Sequence, residues 1–167
     1  MITIIDNFLD EKDFNDLKAF SKSKNINYSP RYFDRSEEKI DANTYGFRYS
    51  FLIDSELGQC LKKQCLKKFK YKIIKTKECG IDKRKLTMYK PHTDEAICKI
   101  NLYLQIEGGT KLNHGLGFYT NNNLDMHIGF KENRAVLFDS NLLHSPLVDE
   151  EIWRTTLTIF IKEGYFI

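Results

Sequence analysis

Three residues of types that commonly bind metal ions lie in two separate stretches of the sequence. His92 and Asp94 are separated by one residue, and His144 follows far downstream. Two imidazoles and one carboxylate form a facial triad, which holds Fe(II) and leaves other coordination positions open. Alternate residues of a strand point to one face, so His92 and Asp94 would project together. The pattern predicts a metal site with His92, Asp94 and His144 as ligands.

An arginine follows the second histidine on a predicted strand, residues 153–161. Arg154, Thr156, Thr158 and Phe160 share one face of that strand, and Arg154 is the only charged residue on it. An unpaired guanidinium is very costly to bury. Because guanidinium pairs bidentately with carboxylate, a dicarboxylate co-substrate would satisfy Arg154.

The same residues also have purely structural interpretations. A single histidine-x-aspartate triplet is common in surface turns. His144 stands directly before Ser145-Pro146 and could be a turn histidine bonded to the backbone. Arg154 could form a surface ion pair with Glu150 or Glu151. The combination of residues in one order favours the metal site over these alternatives.

Together, His92-Thr93-Asp94, His144 and Arg154 resemble the functional residues of the Fe(II)- and 2-oxoglutarate-dependent oxygenases, in particular the prolyl 4-hydroxylase-like branch. The run from Tyr89 to Asp94 is similar to that branch's tyrosine-x-x-histidine-x-aspartate signature. The spacing from His144 to Arg154 resembles that branch's placement of the residue that binds 2-oxoglutarate. The strand at 100–104 and Gly108-Gly109 are similar to the segments that follow the first ligands. The resemblance covers about residues 85–163.

The resemblance implies a hydroxylase that uses Fe(II), 2-oxoglutarate and O2, with ascorbate as a further candidate reductant. Its catalytic residues would be His92, Asp94, His144 and Arg154. Arg154, Thr156, Tyr103 and Tyr89 would contact the co-substrate, although both tyrosines could simply pack in the core. Halogenases of this superfamily carry a small residue in place of the carboxylate ligand, so Asp94 implies hydroxylation. The resemblance suggests a protein or peptide substrate, with proline the leading residue, or a free amino acid.

Length and composition limit the class of protein. A chain of 167 residues fits one domain, expected to comprise a supporting part with substrate loops (1–84) and a core with the metal site (85–163). A net charge of +3 is too small to indicate a nucleic-acid partner. No apolar run is long enough to cross a membrane, and no signal peptide is evident, which favours a cytoplasmic location. A monomer or homodimer is expected. The four cysteines form no C-x-x-C pair, which favours reduced, mostly buried thiols.

Periodicity in the first half predicts two amphipathic helices. The first begins after Asp10 and ends near Ser21, behind a strand at 2–5. The second begins at Ser55-Glu56 and repeats apolar residues every fourth position from Leu57 to Phe69. A surface loop at 22–44 and a strand at 45–53 lie between them. Two further strands, 71–77 and 86–89, are predicted on either side of a turn at 80–82.

The pattern of the second half of the sequence predicts strands almost throughout. From residue 100 to 106, apolar residues alternate with Asn101, Tyr103 and Gln105, so one face should pack on helices and the other should line an interior. Further strands are predicted at 115–119, 127–130 and 134–139, separated by turns at 121–123 and 131–133. The order favours an α+β fold: a double-stranded β-helix, or cupin-like jelly roll, with the N-terminal helices packed on its major sheet.

Two other functional classes could use some of the same residues. A non-redox cupin-like metal or small-molecule binding protein could use the same triad, but it has no need for Arg154 on the interior face. A nucleic-acid dealkylating oxygenase would carry a second arginine where Phe160 stands, and the lysines of the second helix are expected to form a solvated surface. His114 and His127 are expected not to bind metal, although His114 could border the pocket.

The substrate contacts are a separate prediction. The pocket rim is predicted at residues 22–49 and 110–126. Within or beside these ranges, the candidate substrate contacts are Arg31, Arg35, Tyr45 and Arg48.

Overall fold

The computed structural model describes residues 1–30, 46–84, 91–108, 114–147 and 153–167. The helices are α1 (Glu11–Lys22) and α2 (Glu56–Phe69). The strands are β1 (Ile2–Ile5), β2 (Ser29–Pro30), β3 (Phe47–Phe51), β4 (Tyr71–Arg84), β5 (Ile100–Glu107), β6 (Gly115–Thr120), β7 (Asn123–Gly129), β8 (Arg134–Asp139), β9 (His144–Leu147) and β10 (Arg154–Phe166). The predictions for Arg31, Arg35, Tyr45, Tyr89 and a strand at 86–89 lie outside the described residues.

The strands form two antiparallel sheets. The larger sheet has seven strands in the order β1-β8-β5-β10-β4-β3-β2, and the smaller has three in the order β7-β6-β9. β10 is central in the larger sheet, where it pairs with β4 on one side and β5 on the other. Strands from both halves of the sequence therefore build the larger sheet.

Both helices pack on one face of the larger sheet, as predicted. Phe14 and Leu17 of α1 and Leu61 and Cys65 of α2 belong to one buried core with the apolar residues of β4, β5, β8 and β10. The Oγ of Ser55 accepts a hydrogen bond from the N–H of Gly58, which caps the start of α2. The spacing of these apolar residues thus positions both helices against the sheet.

The alternation along β5 separates a core face from an interior face. Leu102 and Leu104 are fully buried in the core beneath the helices, and each such side chain stabilises the fold by roughly 1.5–3 kcal/mol. Tyr103 points the other way and belongs to a second buried cluster, with Leu116 and Phe118 of β6. The two sheets therefore face each other, and the polar residues of β5 lie on the side between them.

The predicted turn at residues 80–82 is wrong, because β4 runs through it without interruption. Gly80 lies beside the side chain of Arg48, and a Cβ at this position would come within 2.3 Å of the Arg48 Nε. Asp82 is completely buried, and its Oδ2 accepts a hydrogen bond from Arg48 Nη1 at 2.8 Å. Gly80 and Asp82 therefore contact the buried Arg48 of β3 and do not form a turn.

Other local predictions agree with the structure. Asn121 and Asn122, between β6 and β7, and Asn133, before β8, have positive φ angles as expected in turns. All four cysteines are free, and three of them are buried. No helix in the described part of the chain is long and apolar enough to cross a membrane.

Candidate metal centre

The structure brings His92, Asp94 and His144 together between the two sheets. The Nε2 of His144 lies 3.3 Å from Oδ2 of Asp94, and the Nε2 of His92 lies 3.9 Å from Oδ1. The possible ligand atoms all lie within 4.8 Å of one another. Bonds from imidazole nitrogen or carboxylate oxygen to a metal are about 2 Å long, so this spacing is close to what one ion can bridge.

Backbone hydrogen bonds hold the two histidines side by side. The N–H of each donates to the carbonyl of the other at 2.9 Å, and their ring centroids are 4.6 Å apart. This contact is an isolated antiparallel bridge. The expectation that a regular strand carries His92 and Asp94 is therefore wrong, although the extended bridge still directs both side chains to one place.

Asp94 is buried among groups that favour its charged form. Burial raises the pKa of Asp94, but the hydrogen bond with His144, the charges of both histidines and a hydrogen bond from Asn101 outweigh it. The pKa therefore lies below its ordinary value. The carboxylate is thus ionised at neutral pH, as a metal ligand must be.

The orientation of His144 leaves one ring nitrogen directed at the site. Its Nδ1 lies 2.8 Å from the carbonyl oxygen of Leu142. Because a carbonyl can only accept, this bond requires a proton on Nδ1. In the protonated imidazole Nε2 also donates, to Asp94, and in the neutral imidazole Nε2 instead carries the lone pair that a metal ion would use. The ring of Phe138 packs edge-on against the imidazole, with centroids 4.9 Å apart. His144 is therefore prepared to bind a cation through Nε2.

A cavity of about 140 Å³ adjoins the three residues, and Arg154 lines it. Arg154 is only 3% exposed, and its Nη1 donates to the carbonyl oxygen of Gly115 at 3.1 Å. The side chain is therefore buried rather than on the surface, and Glu150 and Glu151, its alternative partners, lie outside the described residues. Thr156, Thr158 and Phe160 line the same cavity, which confirms the predicted face of the strand.

Tyr103 also lines the cavity, and its hydroxyl is buried. Among the described residues, that hydroxyl has no hydrogen-bond partner. A buried hydroxyl without a partner is costly, so a polar ligand in the cavity would stabilise it. The Tyr103 hydroxyl and the Arg154 guanidinium are therefore suited to a molecule with acceptor oxygens.

The other two histidines lie outside the cluster. The Nε2 of exposed His127 is 3.2 Å from the carbonyl oxygen of His114, and neither residue lines the cavity. The lining of this cavity therefore does not include His114, which the sequence suggested as a possible neighbour of the pocket, and the absence of metal binding by either histidine stays a prediction.

Arginines on β3 and β4 depart from the sequence predictions. Arg48 was a candidate substrate contact, but it is buried outside the cavity lining, with ion pairs to Glu78 and Asp82. Arg84, which was missed, does line the cavity and lies directly across the sheet from Arg154. Arg84 was not predicted to line the cavity because the expected turn at 80–82 would have ended the strand before it. In the uninterrupted β4 it lies on the interior face.

Comparisons with known proteins identify the fold. No family model matches the chain, and no curated protein matches it in sequence. Among solved structures, a 2OG-Fe(II) oxygenase family oxidoreductase from Burkholderia pseudomallei is 10% identical with a TM-score of 0.66, covering 96% of this chain and 84% of that one. The chain has the fold of the 2-oxoglutarate–Fe(II) oxygenases.

Two other structures with this oxygenase fold are prolyl hydroxylases. One is a Pseudomonas putida prolyl-4-hydroxylase, 12% identical with a TM-score of 0.62, covering 97% of this chain and 92% of that one. The other, from Trichoplax adhaerens, was solved with a peptide fragment of the hypoxia inducible factor oxygen degradation domain. It is 16% identical with a TM-score of 0.60, covering 96% of this chain and 83% of that one. At these identities the likeness concerns the fold alone.

The residues present fit the cofactors that this oxygenase fold implies. His92, Asp94 and His144 supply the two nitrogens and one carboxylate that a facial Fe(II) site needs. The Tyr103 hydroxyl, which has no partner among the described residues, and the buried Arg154 supply donors on the cavity wall. A metal ion and a small dicarboxylate therefore match the two parts of the site.

Proposed function

We propose that this protein is an Fe(II)- and 2-oxoglutarate-dependent dioxygenase that hydroxylates an unactivated C–H bond. In the overall reaction one oxygen atom of O2 enters the substrate as a hydroxyl group. The other enters succinate, which forms with CO2 from 2-oxoglutarate. The observation that carries the proposal is that the two-histidine, one-carboxylate cluster and the buried Arg154 share one cavity.

His92, Asp94 and His144 would hold the metal. When bound, the Fe(II) site supplies oxygen activation coupled to decarboxylation of 2-oxoglutarate. The protein contributes the fixed spacing of the three ligands, which the paired backbone of His92 and His144 maintains. Three ligands from the protein leave coordination positions open for other molecules.

Arg154, Tyr103 and Thr156 would hold the far carboxylate of 2-oxoglutarate. Arg154 supplies a buried positive charge, which is screened little by solvent. The Tyr103 hydroxyl would gain the acceptor that it lacks among the described residues. Phe138 and Phe160 form apolar parts of the cavity wall. Tyr89 remains a proposed contact on the basis of the sequence resemblance alone.

Asp94 supports hydroxylation as the outcome. It keeps the carboxylate that halogenases of the superfamily lack, so no coordination position is left for a halide in its place. We infer that the two facing sheets belong to one double-stranded β-helix within a single domain of residues 1–167. The core clusters on both faces of the larger sheet support this inference.

The proposed substrate is a protein or peptide residue, with proline the first to test. The support is the resemblance of the sequence signature and the likeness of the fold to two prolyl hydroxylases, one of them solved with a peptide. A free amino acid is the second substrate to test.

Anaerobic titration tests the proposal. Wild-type protein should develop a visible absorption band only when both Fe(II) and 2-oxoglutarate are present. His92→Ala should abolish the band, whereas His127→Ala, which removes an exposed histidine outside the cluster, should preserve it. With O2 added, succinate should form.

Two results would contradict the proposal. The first is binding of Fe(II) with no spectral response to 2-oxoglutarate, which would favour a non-redox metal-binding protein. The second is equal loss of the band in both histidine variants, which would show that the cluster is not the specific site. Peptides with and without proline, examined by mass spectrometry for a gain of one oxygen atom, then test the substrate class.

A further inference from the structure

Asn101 lies behind the candidate metal centre and contacts Asp94 directly. Its Nδ2 donates a hydrogen bond to Oδ2 of Asp94 at 3.0 Å, and Asn101 is only 1% exposed. The sheet places it directly opposite Phe138 of β8 and Phe160 of β10. A buried amide with aromatic residues on both neighbouring strands requires its polar partners to be well placed.

Cys98 determines which way the Asn101 amide faces. The Sγ of Cys98 donates to Oδ1 of Asn101 at 3.1 Å. Since a thiol donor requires the carbonyl side of the amide, the NH2 side is left facing Asp94.

Hydrogen bonds through Ser140 also link the backbone at Cys98 to the backbone at Asp94. Ser140 Oγ donates to the carbonyl oxygen of Cys98 at 2.6 Å. The carbonyl oxygen of Ser140 accepts from the N–H of Asp94 at 2.8 Å. Asp94, Asn101 and Cys98 are therefore fixed relative to one another through both side chains and main chain.

We propose that Asn101, oriented by Cys98, is a positioning residue that anchors the Asp94 carboxylate for metal binding. Its amide holds one carboxylate oxygen through a hydrogen bond and so limits rotation of the ligand. Hydrogen-bond partners of metal ligands commonly change metal affinity by 10- to 100-fold when they are removed. The inference rests on the metal site of the proposed function, but not on its substrate or reaction.

The test measures binding of Mn(II) to the apo protein through the electron paramagnetic resonance signal of the free ion, which needs neither O2 nor turnover. Asn101→Leu has a similar size but no donor, and should bind Mn(II) about 10- to 100-fold more weakly than wild type. Gln105→Met is the matched control, because it removes a buried amide from the same face of β5 that does not contact Asp94. It should bind Mn(II) with an affinity within about threefold of wild type. That change is much smaller than the one expected when the hydrogen-bond partner of a metal ligand is removed.

A second pair of variants keeps the test independent of the folding of Asn101→Leu. Cys98→Ala leaves Asn101 in place but removes the donor that orients it, and should weaken Mn(II) binding, whereas Cys98→Ser restores a donor and should recover most of the affinity. Thermal unfolding of each apo variant separates a change in affinity from a change in stability.

Wild-type affinity in a folded Asn101→Leu protein would overturn the inference and leave the proposed function intact. If Asn101→Leu does not fold, equal affinities for Cys98→Ala and Cys98→Ser would overturn it. Failure of wild-type protein to bind Mn(II) would instead remove the metal site on which both claims depend.

Discussion

Replacing Arg154 with glutamine should weaken 2-oxoglutarate binding about 100-fold. Arg154 is 3% exposed, so solvent would screen its interaction with a carboxylate only weakly. Hydrogen bonds to charged groups contribute about 1.5–3 kcal/mol each. A loss of about 3 kcal/mol corresponds to roughly a 100-fold higher dissociation constant. Binding of Fe(II) alone should change little, because Arg154 is not one of the three proposed ligands.

The assay is the anaerobic titration of Fe(II)-loaded protein with 2-oxoglutarate, followed by visible absorption. Arg134→Gln is the control, because it removes an arginine that pairs with Asp6 outside the cavity lining. The control should keep the wild-type dissociation constant. Equal affinities of Arg154→Gln and wild type for 2-oxoglutarate would refute the assignment of Arg154. A parallel loss of Fe(II) binding would show that the substitution disturbs the whole site instead.

Three further predictions follow from individual contacts. Tyr103→Phe should raise the 2-oxoglutarate dissociation constant roughly 3- to 10-fold, because the hydroxyl contributes a hydrogen bond of about 1 kcal/mol. Urea unfolding of apo Tyr103→Phe should show no loss of stability, and a large loss would mean that the hydroxyl has a structural partner. Gly80→Ala should destabilise the protein by about 2 kcal/mol or more, measured by urea unfolding. The reason is that the added Cβ would displace the buried, ion-paired Arg48. A variant as stable as wild type would contradict this packing. Asp6→Asn should lower stability at pH 7 by about 1 kcal/mol after allowance for partial exposure, because the hydrogen bond from Arg134 lowers the pKa of Asp6 to about 2 from 3.8. Since the folded-state pKa is the lower one, this stabilisation is present above the unfolded-state pKa of 3.8 and is lost as the pH falls through about 2. An undiminished difference at pH 2 would contradict it.

The sequence predicted most of the elements that carry a regular pattern. Leu61 and Cys65 on α2 recur every fourth residue, and the apolar residues of β5 alternate with polar ones. Because burial on one face produces such periods directly, these elements and their packing could be predicted without coordinates. The same reasoning placed Arg154 on the interior face of β10.

The predictions failed where distant contacts override local signals. Gly80 and Asp82 are typical turn residues, but here Gly80 makes room for Arg48 and Asp82 pairs with it across the sheet. No local pattern distinguishes these uses from a turn. Arg84 was missed as a consequence, although an uninterrupted β4 would have revealed it.

The residues that support the metal centre were also hidden by their separation in sequence. Asn101 was predicted on the interior face of β5, but only the fold brings its amide to Asp94. The His92–His144 backbone bridge likewise depends on pairing between distant segments. The residue types of the triad could be predicted, whereas the contacts that orient them required the structure.

The central claim is that His92, Asp94 and His144 share one metal ion. Its most direct test is anomalous scattering from crystals of the protein grown with Mn(II) and 2-oxoglutarate. We expect one strong peak about 2.0–2.3 Å from the Nε2 atoms of both histidines and from a carboxylate oxygen of Asp94. A peak bound elsewhere, or none at the triad under saturating Mn(II), would contradict the account.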